Sequence, residues 1–514
     1  MIRQEIANLI EKAVKNLYQK EIEVETEWPA ETSHGDYSTN IAMMLKKNPQ
    51  EIANAIKSDI LEKVEVKNGF INFFISKEYL QKQVGEILKE KDKFGDLKTG
   101  KNKKVQVEFI SANPTGPVTV GNARGGPFGD TLGNVLKKAG FKVEKAFYIN
   151  NYGMQILALG HSVLKDEKAE WGGKYIDDLY KRIKIKDPYK TGEMAAKIIL
   201  EEMVKKTIKR MGIKYDEWFS ENKLHQSGET EKVLEFLKKK NLIYEKERAK
   251  WFKSTKYGDE RDRVLVKDNG WKTYLAGDIA YHQYKFEKKK FDKVIDIWGA
   301  DHHGNVAGLQ AGIEALGHKG KLDIIILQFV TVLEKGVVLK MSKRRGVYVT
   351  IDELLEAVGL DVVRFFFLQE SANTHLNFDL SLAKEQSEKN PVFYVQYAYA
   401  RICSILKKLK TQSSKLKTTI ENLKLLKHPS ELELIKQLIR FPEIVDDTSK
   451  DYQVQRIPQY AIDLATSFHQ FYRDCRVLSS DKELTRARLA LILATQIVLK
   501  NTLGLMGISA PEKM

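Results

Sequence analysis

Four stretches of the chain carry groups suited to handling phosphate or a planar cation. In Val105-Gln-Val-Glu-Phe-Ile-Ser-Ala-Asn-Pro-Thr-Gly-Pro-Val-Thr-Val-Gly-Asn-Ala-Arg-Gly-Gly126, a compact strand leads through a Pro/Gly turn into a helix that begins near Gly121. That order sets a helix N-terminus, with its free N–H groups and positive dipole end, at the C-terminal edge of a sheet. Gly116 and Gly121 let backbone approach a nucleotide closely, although the same pattern suits a purely structural turn. Lys340-Met-Ser-Lys-Arg-Arg345 follows apolar Val337-Val-Leu339; its cations suit a leaving pyrophosphate, and a basic surface loop is the ordinary alternative. Trp298-Gly-Ala-Asp-His-His-Gly304 closes a strand and precedes a helix, a sensible place for a ribose and base. Its adjacent histidines would also suit a metal, but no cysteine accompanies them and no second cluster matches. In Trp271-Lys-Thr-Tyr-Leu-Ala-Gly-Asp-Ile-Ala-Tyr281, Tyr274 and Asp278 stand four apart and share one helix face. A carboxylate there fits a planar, permanently charged guanidinium; plain capping and packing would give the same spacing.

One phosphate motif is a decoy. Gly95-Asp-Leu-Lys-Thr-Gly-Lys-Asn102 nearly matches a P-loop, but Asn102 replaces the metal-binding hydroxyl. The order is also helix then strand, the reverse of what aims amides at phosphate. It reads as a surface turn.

The elements that must position these groups form several domains, since 514 residues exceed one ordinary domain. Residues 1–98 mix amphipathic helix with short strands such as 69–75, an α+β pattern. Residues 99–372 change to α/β texture: short apolar runs at 105–110, 141–148, 293–298 and 322–327 read as buried parallel strands. These predict a Rossmann-like, doubly wound parallel sheet, with a mainly helical insertion at about 155–260. After Asn373 no strand is expected, and 385–514 reads as an all-α bundle. The net charge of +16 suits a phosphate-rich partner, although solvated lysines at 238–240 and 288–290 offer a second account. Two cysteines, Cys403 and Cys475, supply neither a disulfide framework nor a thiolate metal site. The N-terminus reads as an amphipathic helix rather than a signal peptide, and no apolar run suggests a membrane span, so a soluble, cytoplasmic protein is expected.

With both phosphate stretches in view, the segment Ser111-Ala-Asn-Pro-Thr-Gly-Pro117 resembles the first nucleotide-binding motif of class I aminoacyl-tRNA synthetases, in the form used by the arginyl family. The class follows it with His-x-Gly-His; here the tetrad is Thr119-Val120-Gly121-Asn122, similar to the Thr-Ile-Gly-Asn of bacterial tryptophanyl enzymes. Thr and Asn still donate hydrogen bonds but carry no charge. The 340–345 run resembles the mobile class I loop that clamps triphosphate, and it lies about 220 residues beyond the first motif, where the class places it. The resemblance extends to Ala30-Glu-Thr-Ser-His-Gly-Asp-Tyr37 and Asn68-Gly-Phe-Ile-Asn72, similar to the arginyl family's extra tRNA-binding domain. It also covers Gln396-Tyr-Ala-Tyr-Ala-Arg401, 468–477 and Gly507-Ile-Ser-Ala-Pro-Glu512, similar to its helical anticodon-binding domain.

The resemblance implies an arginine–tRNA ligase. Arginine and ATP form arginyl-adenylate and pyrophosphate, and the arginyl group passes to the 3′ end of tRNA(Arg), with tRNA needed for the first step as well. It assigns Asp278 and Tyr274 to the guanidinium, Asn113 to the α-amino end and Glu108 to a supporting role, with Ser111 on the same edge. Gly116, Pro117, Thr119, Gly121, Asn122, Gly299, Asp301, His302, Met341, Ser342 and Lys343 would hold ATP. Thr119, Gly121, Asn122, Lys340 and Lys343 would carry the catalysis, with Mg2+ arriving with ATP and no structural metal. A monomer is expected. One rival is a non-catalytic tRNA-binding relative, which the missing histidines invite. The other is a class I synthetase for another amino acid such as cysteine, whose thiolate-bound zinc the two distant cysteines cannot supply.

Overall fold

The computed structural model describes residues 1–339, 350–410 and 420–514. Helix Ile2–Tyr18 buries Ile2, Ile6, Ile10, Ala13 and Val14 along one stripe, the spacing expected of an amphipathic helix. It accompanies a three-stranded antiparallel sheet of β1 (Tyr37–Thr39), β2 (Leu61–Lys67) and β3 (Phe70–Ile75), in the order β1-β3-β2. Asn68 and Gly69, both at positive φ, close the β2–β3 hairpin, the turn chemistry that matches strand twist.

The central sheet contains β4 (Lys104–Glu108), β5 (Lys142–Ile149), β6 (Glu217–Ser220), β10 (Lys293–Gly299) and β11 (Leu322–Leu327), with every pairing parallel and the order β11-β10-β4-β5-β6. Strand order therefore reverses between β4 and β10. At such a switch point the connecting segments diverge and leave a crevice at the carboxyl ends of the strands.

Helix Gly125–Lys138 follows β4 and lies very close to it. A Cβ on Gly129 would stand 2.3 Å from the Phe109 ring, and one on Gly126 would stand 2.7 Å from Met211 Cε. Side-chain-free positions let the helix N-terminus sit directly behind the strand end. Arg124, just before this helix, is fully buried and donates to the carbonyls of Gln328, Thr374 and Ser371 at 2.6, 2.9 and 2.9 Å. Burial lowers its pKa to about 10, against the pull of Glu370.

Two features went unread in the sequence. Between 155 and 260 the chain is helical over much of its length, but it also supplies β6 to the central sheet. Its β7 (Ile243–Lys246) and β8 (Ala249–Phe252) also form an antiparallel sheet with β9 (Arg263–Val266), which follows just beyond it. The β7–β8 turn uses Glu247 and Arg248 at positive φ in place of the usual Asn-Gly, so composition gave no hint of it. Strands also continue past Asn373, contrary to expectation: β14 (Leu376–Asp379) pairs parallel with β12 (Val330–Glu334), which also pairs with β13 (Val337–Val338). Four residues alternating buried and half-exposed give too short a pattern to stand out. The decoy at 95–102 is a turn with Gly95 and Gly100 buried inward; a Cβ on Gly95 would meet Phe441 at 2.6 Å.

Helices from Pro391 to Met506 form the C-terminal bundle. Among them Lys482–Met506 is long and apolar enough to cross a membrane by length and composition, yet 67% of its apolar window is buried inside the protein. It is the core helix of the bundle. Arg364 ties this bundle to the central sheet, donating to Met506 O at 2.6 Å, Met211 O at 3.0 Å and Asp130 Oδ2 at 2.5 Å. Buried Glu443 ties it to the N-terminal domain, accepting from Arg3 N, Tyr37 Oη and Trp28 Nε1 at 2.9, 2.9 and 3.0 Å.

Two glycine substitutions separate close packing from backbone freedom. Gly129→Ala should cost about 1–3 kcal/mol by forcing Phe109 aside. Gly504→Ala, on a helix with nothing within 4 Å of the new methyl, should gain up to about 1 kcal/mol. Thermal unfolding of both variants checks the opposite signs; equal shifts would remove the close-contact argument.

Candidate active site

Glu108 ends β4 and faces Asp296 of β10 across the switch point, in register. Residues in register on neighbouring parallel strands project to the same face, so two carboxylates meet in a buried space. Lys285 enters between them, its Nζ 2.7 Å from Glu108 Oε2 and 3.1 Å from Asp296 Oδ1. His282 adds a bond from Nε2 to Asp296 Oδ2 at 2.8 Å, and its Nδ1 lies 2.7 Å from the Asp278 carbonyl. Despite burial, Lys285 and His282 hold the Asp296 carboxyl down at about 2. Burial wins at Glu108, whose pKa stays above the ordinary range although Lys285 opposes it.

Beyond Glu108 the chain turns through Ile110 and Ser111, both at positive φ. A β-branched residue in that region is strained, and such strain gathers at functional sites. The turn lets Ser111 Oγ donate to Glu108 Oε1 at 3.1 Å while accepting from Tyr148 N at 3.0 Å. Half-buried Asn113 lies in the following loop, its side-chain amide making no hydrogen bond among the described residues.

Tyr274 and Asp278 occupy helix Tyr274–Gln283, which packs before β10. Tyr274 is exposed at the mouth, 48% accessible. Asp278 retains some exposed surface in the crevice, yet protein crowds its carboxyl, which accepts no hydrogen bond among the described residues. Burial pushes its pKa well up, repulsion from Glu221, Glu108 and Asp296 adds to the rise, and Lys285 opposes it. Glu221 follows β6 and is 4% exposed. Its Oε2 has no partner among the described residues, and its Oε1 lies 3.5 Å from His225 Nε2. Gly277 makes room for this convergence: a Cβ there would stand 3.2 Å from Glu221 Oε1 and 3.9 Å from Tyr148 Oη. Tyr148 Oη and Asn150 Oδ1 are likewise buried without partners among the described residues. Unsatisfied buried groups gathered in one place demand an explanation, and a guest with several N–H donors supplies one.

The nucleotide-side residues occupy the same sheet edge. Thr119 caps the short turn of helix Val120–Ala123, and its Oγ1 donates to Asn122 Oδ1 at 2.7 Å. Gly121 faces open space, the nearest atom to an added Cβ being 4.0 Å away, while Gly116 packs beside Tyr175 and half-buried Pro117 follows it. Gly299 ends β10, with Asp301 and His302 exposed in the next turn, 3.7 Å apart. Lys340, Met341, Ser342 and Lys343 lie outside the described residues. The residues bracketing that stretch are Leu339, whose N–H reaches Val332 O, and Thr350, which pairs with Thr119 itself.

Glu221, Tyr148, His282, Lys285 and Asp296 escaped the sequence reading. Asp296 sits in an apolar strand and Lys285 in a lysine-rich run; only the charge interrupting Val-Ile-Asp-Ile-Trp gave a signal. Glu221 follows a four-residue strand that has no clear periodicity.

Comparison with known proteins gives the family of the chain. Profiles described as "Arginyl tRNA synthetase N terminal domain", "tRNA synthetases class I (R), catalytic domain" and "DALR anticodon binding domain" match residues 1–75, 83–225 with 165–361, and 395–514. The arginine–tRNA ligase of Caldanaerobacter subterraneus subsp. tengcongensis is 43% identical, with 100% of this chain and 99% of that protein covered. That of Geobacillus thermodenitrificans is 42% identical, covering 100% and 98%. The Thermus thermophilus arginyl-tRNA synthetase structure superposes with a TM-score of 0.80 over 100% of both chains at 22% identity, a likeness of fold. A doubly wound sheet with an acidic crevice, flanked by these N- and C-terminal domains and matched along its whole length, places the chain in the arginyl-tRNA synthetase family, the class I enzymes that use ATP to join arginine to tRNA.

Proposed function

We propose that the crevice binds the arginine side chain between Asp278 and Glu221, with Tyr274 closing the mouth, Asn113 at the α-amino end and Glu108 with Ser111 supporting from below. The observation that carries this is a surplus of carboxylates. Lys285 and His282 already engage Glu108 and Asp296, whereas the Asp278 carboxyl and Glu221 Oε2 are left without hydrogen-bond partners among the described residues. A guanidinium carries five N–H donors in a fixed fork and cannot lose its charge, so it satisfies both.

ATP takes the adjoining edge in this reading. Gly116, Pro117, Thr119, Gly121 and Asn122 line the phosphates, Gly299, Asp301 and His302 the adenosine, and Lys340, Met341, Ser342 and Lys343 the triphosphate tail. Magnesium comes with the nucleotide, held by phosphate oxygens and water. The arginine carboxylate oxygen then attacks the α-phosphorus in line, the bond to the β-phosphate oxygen breaks, and pyrophosphate leaves. Holding both reactants in register supplies much of the acceleration, and Thr119, Gly121, Asn122, Lys340 and Lys343 stabilise the developing charge. A hydroxyl of the tRNA's terminal adenosine next attacks the acyl carbon, releasing AMP. Residues 1–98 serve tRNA binding, 99–372 catalysis with the insertion at about 155–260, and 385–514 the anticodon; the protein works as a cytoplasmic monomer with tRNA(Arg).

Charging of tRNA(Arg) by the purified protein tests the whole reading. Tight tRNA binding without arginine attachment would favour a non-catalytic relative instead. Asp278→Asn keeps shape but removes charge, and should lower kcat/KM for arginine by about 30- to 5000-fold, the ~2–5 kcal/mol typical of stranding one partner of a buried charge pair. Asp278 lies outside the N-terminal and anticodon-binding domains, so tRNA affinity should stay unchanged; normal arginine use would remove Asp278 from the pocket.

The raised pKa of Asp278 sets a pH dependence. The empty folded enzyme holds a proton that the unfolded chain, with an ordinary aspartate near 3.9, has released. Stability from this group is therefore present at acid pH and lost as pH rises toward the elevated value. A bound guanidinium favours the charged form and reverses the penalty. Arginine should raise Tm by more as pH rises through that window, and a shift independent of pH would contradict the assignment. On the nucleotide side, Thr119→His with Asn122→His should add a new acidic limb to the rate profile, because neither native residue titrates; an unchanged profile would show that the tetrad does not govern the rate.

A further inference from the structure

Beneath the arginine pocket, the geometry of His282 fixes more than its position. Its Nδ1 faces a carbonyl oxygen, the Asp278 O at 2.7 Å, so that nitrogen must donate. Its Nε2 faces a carboxylate oxygen, Asp296 Oδ2 at 2.8 Å, and two lone pairs cannot bond. A second proton therefore lies on this contact, which leaves the His282–Asp296 pair without net charge. Lys285 contributes a cation and has no exposed surface. It bonds Glu108 and Asp296 and lies 4.3 Å from the Tyr281 ring centre. The Lys285–Glu108 and His282–Asp296 pairs thus close on one another. Asp278, His282 and Lys285 fall at i, i+4 and i+7, one face of helix Tyr274–Gln283 and of the wider π-turn Tyr284–Lys288 that continues it. Such π-turns recur at functional sites.

We propose that Lys285 and His282 are positioning residues for arginine selection: they neutralise Glu108 and Asp296, pin the Asp278 helix across the switch point, and so leave Asp278 with Glu221 as the pair that reads the guanidinium. Neither residue touches substrate; both act through Asp278. The inference rests on the reading of the crevice as the arginine pocket. The groups facing Asp278 are Glu108 from β4, Tyr148 from β5, Glu221 beyond β6, Asp296 from β10, and Tyr274, His282 and Lys285 from its own helix and the π-turn.

Charge balance and plain packing make different forecasts. Removing the cation with Lys285→Met leaves one uncompensated negative charge beside Asp278, and removing an anion with Asp296→Asn does the reverse. The midpoint of the pH dependence of arginine affinity should rise by about one unit in Lys285→Met and fall by about one unit in Asp296→Asn, the size expected for one neighbouring charge. The Lys285→Met/Asp296→Asn double variant should return toward the parent. The measurement is arginine binding to the full chain by calorimetry from acid to alkaline pH, with tRNA(Arg) present throughout and the arginine-induced rise in Tm as a second readout. If Lys285→Met fails to fold, the downward shift in Asp296→Asn alone still decides. Midpoints that stay put, or that move the same way in both single variants, would overturn the proposal and leave a packing role. Absence of arginine binding by the parent protein at every pH would instead refute the pocket reading itself.

Discussion

Everything at this site depends on keeping four carboxylates close together inside a protein. Glu108, Asp296, Asp278 and Glu221 come from different elements, and each alone would be driven to the neutral form by burial. The fold resolves this unequally. Lys285 and His282 satisfy the pair on the strands, where the backbone is most rigid, and the pair on the helices is left for an incoming cation. A buried ion pair of this kind is a poor source of net stability, so its worth here is orientation and charge. In the proposed arrangement, the empty enzyme is destabilised at the place where arginine binds.

The switch point makes the arrangement possible. With β4 between β5 and β10, the segments after β4, β5, β6 and β10 all emerge at one edge, and each contributes: Ser111 to Asn122, Tyr148 to Asn150, Glu221, and Gly299 to His302. Close packing of helix Gly125–Lys138 on β4 draws the tetrad in toward that edge. The left-handed turn at Ile110 and Ser111 re-aims the chain within two residues, and its strain is offset by the hydrogen bonds Ser111 makes to Glu108 and Tyr148. Arg124 adds a second constraint. By gripping three carbonyls around 328 and 371–374 it fixes the tetrad relative to β12 and β14.

How much of this was legible depended on pattern length. Strands at 104–108, 142–149, 293–299 and 322–327 announced themselves as apolar runs, and the parallel sheet followed. Tyr274 and Asp278 share a helix face, a spacing that plain packing also gives; the resemblance to the arginyl family is what singled them out. β7, β8, β9 and β14 did not stand out, being four residues each with unhelpful turn composition. Glu221, Lys285 and Asp296 were invisible for a different reason: Lys285 and Asp296 act by meeting Glu108, 177 and 188 positions earlier, and Glu221 by meeting Asp278, 57 positions later, and no local spacing encodes that. Lys285 in particular looks like one more surface lysine beside 288–290, yet it is wholly buried.

The uncharged tetrad acquires a meaning from this division of charge. Thr119 donates its hydroxyl proton to Asn122 Oδ1, which leaves the amide N–H2 as the donor end of an exposed side chain. Those donors, like the amides at the turn of Val120–Ala123, keep the same charge at every pH. In the proposed arrangement the tetrad itself is therefore insensitive to acidity between pH 5 and 8, the range where a histidine pair would titrate. On the arginine side, Asp278 sits well above the ordinary carboxylate range. In that arrangement, Thr and Asn in place of histidines remove cations from the tetrad and leave stabilisation there to fixed dipoles and lysines, while recognition of the amino acid carries the pH response set by Asp278.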